Sequence, residues 1–411
     1  MTDPTGLSFL SYRRSRAAEA KLLIEAQRDR GIPTWQDVTD LPNSPTEIEL
    51  RRVLSDPATA NAILFVTPEV EASSIIRTIE APLILDRHLQ LNGFFALPVA
   101  AGGLDYAAMD QVLGAKIGLA HLPGWNVHKV GLDPIDIETA AGIADRVLHQ
   151  RLAAIGSGLP PGEPLRVQIG TRAPLAKRSG HALLVDLTHR FEGRVASPDA
   201  WERHILPSFD AMVRAIQLHG GGRQVICGGF LAIPAALALG SAFLSLAGVR
   251  VTWMQDLGAY GQNTEPWGLH LDRKPSGFRA ETSPRNAAGH DIALLVSVTN
   301  DVVDDFNDVA GALDLRAVVH ITPNRPDNDT SRLRLNAGEA LDVAHLAVDS
   351  LRQAWTTYKS RGTIHVFLAA PVGLAFMVGQ LLNTFGNIQT DEYVPGQSPI
   401  YRPAAHFMPS H

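Results

Sequence analysis

Ala182–Thr188 reads ALLVDLT and Ala293–Thr299 reads ALLVSVT; later, Phe230–Ala238 reads FLAIPAALA and Phe367–Ala375 reads FLAAPVGLA. The two pairs fall in the same order, which marks a duplicated unit. Each copy reads as strand, helix, strand, then a helix opened by proline. Unbroken apolar runs of this length belong to buried parallel strands. The spacing differs between the copies, so insertions or deletions separate them. The expected architecture is a pair of α/β halves, 165–280 and 288–411.

Working outward, Gly156–Pro164, GSGLPPGEP, has turn residues and no periodicity, and it predicts a linker over 156–164. Residues 1–155 then form a separate domain of alternating strands and helices, the pattern of a parallel sheet covered on both faces. Strands are expected at Leu7–Ser11, Ile32–Trp35, Ala62–Val66, Phe94–Val99 and Val127–Val130, with a helix over Arg16–Asp29 ended by Gly31. Ser44 and Glu47 have capping-box spacing ahead of a second helix.

Bulk composition narrows the function. A length of 411 residues implies more than one core. The net charge of -6 argues against a protein that coats DNA or RNA. With Cys227 as the single cysteine, no internal disulfide can form, which suits a reducing cytosol. The start, MTDPTGLSFLSYRR, lacks the pattern of a signal peptide. The expected location is cytoplasmic. Phe230–Val251 and Ile364–Phe385 are long enough to raise a membrane span, but proline and small residues within them favour buried helices.

Candidate ligand positions follow from the repeat. In each copy a strand (Gln224–Cys227, Ile364–Phe367) runs into a turn and then Pro234 or Pro371. Proline suits a first helical turn, whose free N–H groups attract anions at the strand's carboxyl edge. Gly228 and Gly229 would let a ligand approach the backbone. An ordinary tight strand–helix connection explains either copy alone; two matching copies favour a ligand seam. Arg166, Arg172, Lys177, Arg178, Arg190 and Arg194 give a local basic excess, read either as a phosphate site or as a solvated surface. Asp301, Asp304, Asp305 and Asp308 have one-face helical spacing, read as a metal site or, more simply, as an acidic helix start. No zinc spacing occurs, and no metal is expected.

FLSYRRS (Phe9–Ser15), GIPTWQD (Gly31–Asp37) and AILFVTPEVEASSIIRTIE (Ala62–Glu80) together resemble the ordered boxes of TIR domains. That resemblance implies a flavodoxin-like fold over 1–155, a BB loop around Asp37–Asn43, and Glu80 as the catalytic residue. It departs from the family at Ser15-Arg16, where an acidic residue is common, and at Ile76, where an aromatic is common. Pro82 is expected to bend or end the helix that carries Glu80. Enzymatic TIR domains cleave NAD+ between ribose and nicotinamide. The leaving group is neutral once expelled, so one carboxylate suffices to stabilise the developing ribosyl cation. Substrate contacts are then expected from Tyr12 or Trp35 (stacking), Arg13 (phosphate), Asp37 and Ser74. A turn aromatic, a core aromatic and a surface arginine remain the plain readings of Tyr12, Trp35 and Arg13.

The element IHVFLAAPVGLAFMVGQ, its earlier copy, and the end DEYVPGQSPIYRP (Asp391–Pro403) resemble a SAVED domain, itself two fused CARF-like, Rossmann-type halves. The resemblance covers 165–411. It implies a TIR–SAVED effector of cyclic-oligonucleotide-based anti-phage signalling (CBASS). A cyclic oligonucleotide, expected to be a trinucleotide, would act as activator, NAD+ would be the substrate, and no cofactor is expected. Ligand would drive stacking into a homo-oligomer or filament that assembles an NAD+ nucleosidase. A ligand-gated scaffold and a TIR cyclase making a signal from NAD+ are the alternatives. Neither a membrane nor polymeric nucleic acid is expected as a partner. Ligand contacts are expected at Thr188, Arg190, Gly228, Gly229, Phe230, Pro234, Thr299, Phe367, Ala370 and Pro371, from the two turns and the strand ends.

Overall fold

The computed structural model describes residues 1–35, 46–114, 127–131, 133–176, 180–243, 249–257, 263–324 and 334–409. Asp37 and the rest of the expected BB loop, the Ser44 cap, Lys177 and Arg178 lie outside the described residues. The chain divides into two compact units. One comprises Met1–Val167, Leu175–Asp186 and Leu218–Gly221; the other comprises Gln168–Pro174, Leu187–Gln217 and Gly222–His411.

In the first unit, β1 (Leu7–Ser11) leads through α1 (Ala17–Asp29) to β2 (Thr34–Trp35), then α2 (Thr46–Ser55) to β3 (Thr59–Val66). α3 (Ala81–Leu89), β4 (Phe95–Ala100), α4 (Tyr106–Leu113), β5 (His128–Lys129) and α5 (Ile137–Gly158) follow. The sheet order is β2-β1-β3-β4-β5, and every pairing is parallel. That order is doubly wound, with its switch point between β1 and β3. All of β3 is buried, which is why its sequence is apolar without alternation.

Two expectations change here. Gly156–Gly158 of the expected linker is the last turn of α5. A Cβ on Gly156 would stand 2.4 Å from the His219 carbonyl oxygen, so close packing explains that glycine. Pro82 does not end its helix. Ile76–Glu80 forms a π turn that continues into α3, with proline in the first turn. Pro82 has no N–H for the carbonyl four residues back, and the wider turn accommodates the ring.

The duplication is visible in the sheets. One runs β10-β9-β8-β6-β7 and the other β11-β13-β12-β14-β15-β16. The strands of the first are β6 (Leu165–Gly170), β7 (Leu183–Asp186), β8 (Val225–Phe230), β9 (Val251–Asp256) and β10 (Thr264–Trp267). α6 (Leu206–His219) precedes β8, and α7 (Ile233–Ala242) follows it. The second set holds β11 (Phe278–Pro284), β12 (Asp291–Ser297), α8 (Val303–Ala310), β13 (Leu315–Pro323) and α9 (Ala337–Tyr358). It ends with β14 (Ile364–Ala369), α10 (Val372–Leu381), β15 (Ile388–Tyr393) and β16 (Tyr401–Phe407). Apart from the added β11, the orders are the same, and each sheet closes on an antiparallel strand.

The register of the repeat differs from the sequence reading. The N–H groups of Thr171 and Arg172 bond the Phe230 carbonyl, and those of Val298 and Thr299 bond the Ala369 carbonyl. β12 therefore corresponds to β6, whereas ALLVDLT lies on β7. Likewise Ile233 and Val372 begin equivalent helices, which pairs Pro234 with Gly373 and leaves Pro371 as the N-cap of α10. Buried strands share a composition, so matching strings aligned strands of different rank.

α7 and α10 pack against each other through glycine. A Cβ on Gly240 would lie 2.1 Å from the Phe376 oxygen, and one on Gly379 would lie 2.1 Å from the Leu237 oxygen. Of the two apolar runs, the described residues of Phe230–Val251 hold the end of β8, α7 and the start of β9, and Ile364–Phe385 holds β14 and α10. Among the described residues no helix is long and apolar enough to cross a membrane. Asp301 precedes α8 rather than lying on it; its Oδ1 accepts from the Ser297 hydroxyl and the Val303 N–H.

Candidate functional sites

In the first unit, Ser11 ends β1 beside the switch point. Its hydroxyl donates to Glu80 Oε2 at 2.5 Å, and both residues are buried. The π turn delivers Glu80 to this position. Tyr12 and Arg13 follow at the strand's carboxyl end and are half-buried. Ser74 is exposed, while its neighbour Ser73 is buried and takes the Ile76 N–H at 3.4 Å. Trp35 is a core residue: its ring stacks on Phe9 at 5.1 Å and is 4% exposed. Of the expected site residues, the edge of β1 gathers Tyr12, Arg13 and Glu80.

Arg16 explains the departure at Ser15-Arg16. Its guanidinium pairs with Glu19 at 3.0 Å, Glu69 at 2.8 Å and Asp133 at 2.5 Å. Glu19 also takes the Ile135 N–H. The guanidinium of Arg16 holds the Glu69 carboxyl down at about 2, and Asp133 and Glu69 in turn push Arg16 up. This network ties the segments that follow β1, β3 and β5.

In the second unit, a cavity of about 270 Å³ opens at the carboxyl edge of β12, β14 and β15. Parallel sheets bind ligands at such an edge, at the switch point, here between β12 and β14. Thr299 and Ala370, expected as contacts, line it. Ile233 opens α7 and lines it too, beside the expected Pro234. Phe367 stands behind the wall: it is buried between Phe306 at 5.1 Å and Tyr401 at 5.0 Å. Thr188 and Arg190, in a short 3-10 turn after β7, are not among the described lining residues, nor is Pro371. Gly228 and Gly229 belong to strand packing. Gly229 has φ +132 and would put a Cβ 1.9 Å from the Ile169 oxygen, so only glycine lets β8 lie against β6. Phe230 is 46% exposed and is not among the described residues that line this cavity.

Of the rest of the wall, sequence reasoning placed Arg194 in the basic cluster and Asp301 and Asp305 in the acidic one, and did not single out Asp391, Glu392 or Tyr393 as contacts. The quoted segment Asp391–Pro403 held the signal for three of them, with Tyr401 added. The basic excess is also spoken for in part. Arg172 pairs with Glu392, gives 2.7 Å to the Arg194 carbonyl, and lies 5.7 Å over the Phe191 ring. Arg194 reaches Glu392 at 3.4 Å and the Tyr393 carbonyl at 3.2 Å.

The electrostatics are acidic. Burial pushes the Asp391 carboxyl up to about 7. Burial also raises Glu392, against the pull of Arg172 and Arg194. Asp305 is raised by burial and by Asp308, Asp304 and Asp301. Burial likewise raises the Tyr401 hydroxyl.

Residues 210–407 match the SAVED family, the SMODS-associated and fused to various effectors sensor domain. The chain carries a SAVED sensor domain. Similar solved structures include the Acinetobacter baumannii Cap4 SAVED/CARF-domain containing receptor with the cyclic trinucleotide 3'3'3'-cAAA. It is 13% identical, with a TM-score of 0.46, over 89% of this chain and 86% of that one. The same receptor with 2'3'3'-cAAA gives 14%, 0.45, 89% and 86%. The Moraxella osloensis Cap4 receptor gives 13%, 0.42, 96% and 100%. No curated protein matches the chain.

Proposed function

We propose that the SAVED domain binds a cyclic oligonucleotide, of trinucleotide size, and that binding switches on NAD+ cleavage by a TIR domain in the first unit. Support for the sensor half is the family match together with a cavity at the switch-point edge, where α/β sheets take nucleotides. Support for the enzymatic half is one observation: a buried carboxylate, Glu80, held by Ser11 at the β1 edge of a doubly wound sheet.

The chemistry asks little of the protein. The pyridinium C–N bond breaks with its electron pair returning to nicotinamide, which leaves neutral. Positive charge grows on the ribosyl carbon and ring oxygen. The Glu80 carboxylate stabilises that charge, and the Ser11 hydroxyl fixes the carboxylate's orientation. Water then adds to the ribosyl carbon and gives up a proton to solvent, leaving ADP-ribose. An anion in a buried site is worth more to a developing cation than the same anion in water. Assembly of protomers on ligand binding completes the site and keeps the free chain inactive.

Nicotinamide release by the full chain, with and without a panel of cyclic oligonucleotides, tests the reading. Turnover only with ligand is expected, and Glu80→Gln abolishes turnover while ligand binding persists. No nicotinamide under any bound ligand leaves the scaffold reading. A cyclic product in place of ADP-ribose leaves the cyclase reading.

A further inference from the structure

The two halves of the SAVED domain treat equivalent side chains differently. β9 and β15 occupy the same rank, each parallel to the central strand, and β8 pairs Val225 with Val251 as β14 pairs Ile364 with Ile388. Gln255 and Glu392 are therefore equivalent. Gln255 Oε1 accepts the Gly373 N–H at 2.8 Å, in the first turn of α10. That turn is closely packed, since a Cβ on Gly373 would fall within 2.9 Å of Trp267, Gln255 and Trp253. Across the pseudo-symmetry, Gly373 corresponds to Pro234, which has no N–H to give. Glu392 is consequently left with Oε2 buried and lacking a hydrogen-bond partner among the described residues, while Oε1 meets the arginines. Glu392 is 4% exposed and lines the cavity.

A buried carboxylate oxygen without a donor is costly, and a ligand donor placed there recovers the loss. The surroundings state which donor. Asp301 and Asp305 share the wall with Glu392, so a phosphate would meet repulsion inside. Arg194, half-exposed and already turned toward Glu392, can meet a phosphate at the mouth. Tyr393, 38% exposed, offers a ring face to a flat heterocycle. At about 270 Å³ the cavity is smaller than the roughly 300–1,000 Å³ of drug-sized sites, room for one base rather than a whole ring.

We propose that this cavity takes a single base carrying an exocyclic amino group, adenine in type, and that Glu392 Oε2 selects it by accepting the amino hydrogen. The proposal rests on the cyclic-oligonucleotide reading above and deepens it. A base with a carbonyl at that position sets oxygen against oxygen. The first half has no matching acceptor, since Gln255 is engaged; selection is thus one-sided, and one amino base suffices.

The experiment compares cyclic trinucleotides titrated calorimetrically into the full chain: one with three adenines, one with three hypoxanthines, which exchange the amino group for a carbonyl and gain a proton on N1, and one with three unsubstituted purines, which lack the amino group alone and should bind as weakly as the hypoxanthine ring. Loss of a hydrogen bond to a charged acceptor predicts at least about tenfold weaker binding of the hypoxanthine ring. Glu392→Gln retains shape and can turn its amide nitrogen to the hypoxanthine carbonyl. It should therefore shrink the preference below about threefold or reverse it, an effect that simple structural damage does not produce. Binding of either other ring as tightly as the adenine ring by the wild type overturns the proposal, as does an undiminished preference in a folded Glu392→Gln. Absence of binding by every cyclic oligonucleotide tried overturns the parent reading, and this one with it.

Discussion

Replacing Gly240 or Gly379 by alanine should destabilise the SAVED domain, although alanine is the better helix former. Both lie inside helices, where alanine contributes about 1 kcal/mol over glycine. Against that gain, either Cβ would sit 2.1 Å from a backbone oxygen of the facing helix, where ordinary contact begins at 3.4 Å. The obstacle is backbone, so no side chain can rotate away. The helices must separate by roughly 1 Å, and the buried face between them loses its packing. Overpacking of this kind costs about 3 kcal/mol or more, giving a net loss near 2 kcal/mol. For a domain of this size the melting temperature should fall by roughly 4–8 °C. Gly142→Ala is the control, since Gly142 lies inside α5 with nothing within 4 Å of its would-be Cβ. There only propensity acts, and stability should rise by about 0.5–1 kcal/mol. Scanning calorimetry on the full chain reads all three. A Gly240→Ala or Gly379→Ala chain as stable as wild type would refute the argument from close approach.

Further expectations are independent of that one. Cys227 is buried, and burial raises its thiol well above the ordinary value, so it should resist an aromatic disulfide reagent until the chain unfolds; fast labelling of the native chain would contradict this. Asp391 has an ordinary value of 3.8 and is pushed up to about 7, so between those pH values the folded chain holds a proton that the unfolded chain releases. Its contribution to stability is full below about pH 4 and declines as pH rises to about 7. Urea melts should show Asp391→Asn gaining on the wild type across that window; parallel curves would count against the buried carboxyl. Arg151 has no exposed surface and donates to the carbonyls of Thr5, Gly6 and Ala182 at 2.5, 2.7 and 2.9 Å. Arg151→Met leaves three buried acceptors bare and should cost about 3 kcal/mol or more in the first unit. A loss under 1 kcal/mol, measured by urea titration, would show that water replaces the guanidinium.

The sequence by itself determined a good deal. Apolar runs without alternation marked the buried parallel strands, and β1, β3 and β4 lie within three residues of their expected places. The doubled strand–turn–helix element announced a duplicated α/β domain, and the sheets carry it. Glu80 was singled out by the order of boxes around it; its burial against Ser11, sixty-nine positions earlier in the chain, could not be read from the string. The register of the duplication was decided only in three dimensions. Strands buried on both faces draw on the same few branched residues, so ALLVDLT and ALLVSVT match by environment while occupying different ranks. Only the pairing of backbone N–H and carbonyl groups fixes which strand neighbours which. The cavity at the edge of β12, β14 and β15 was also a tertiary decision. Its wall brings together Arg194, Thr299, Asp305 and Glu392 from distant segments. The property that distinguishes Glu392, an oxygen without a donor, arises because a proline stands where the other half has a glycine N–H. A sequence states which groups exist; which of them go unpaired depends on what folding places beside them.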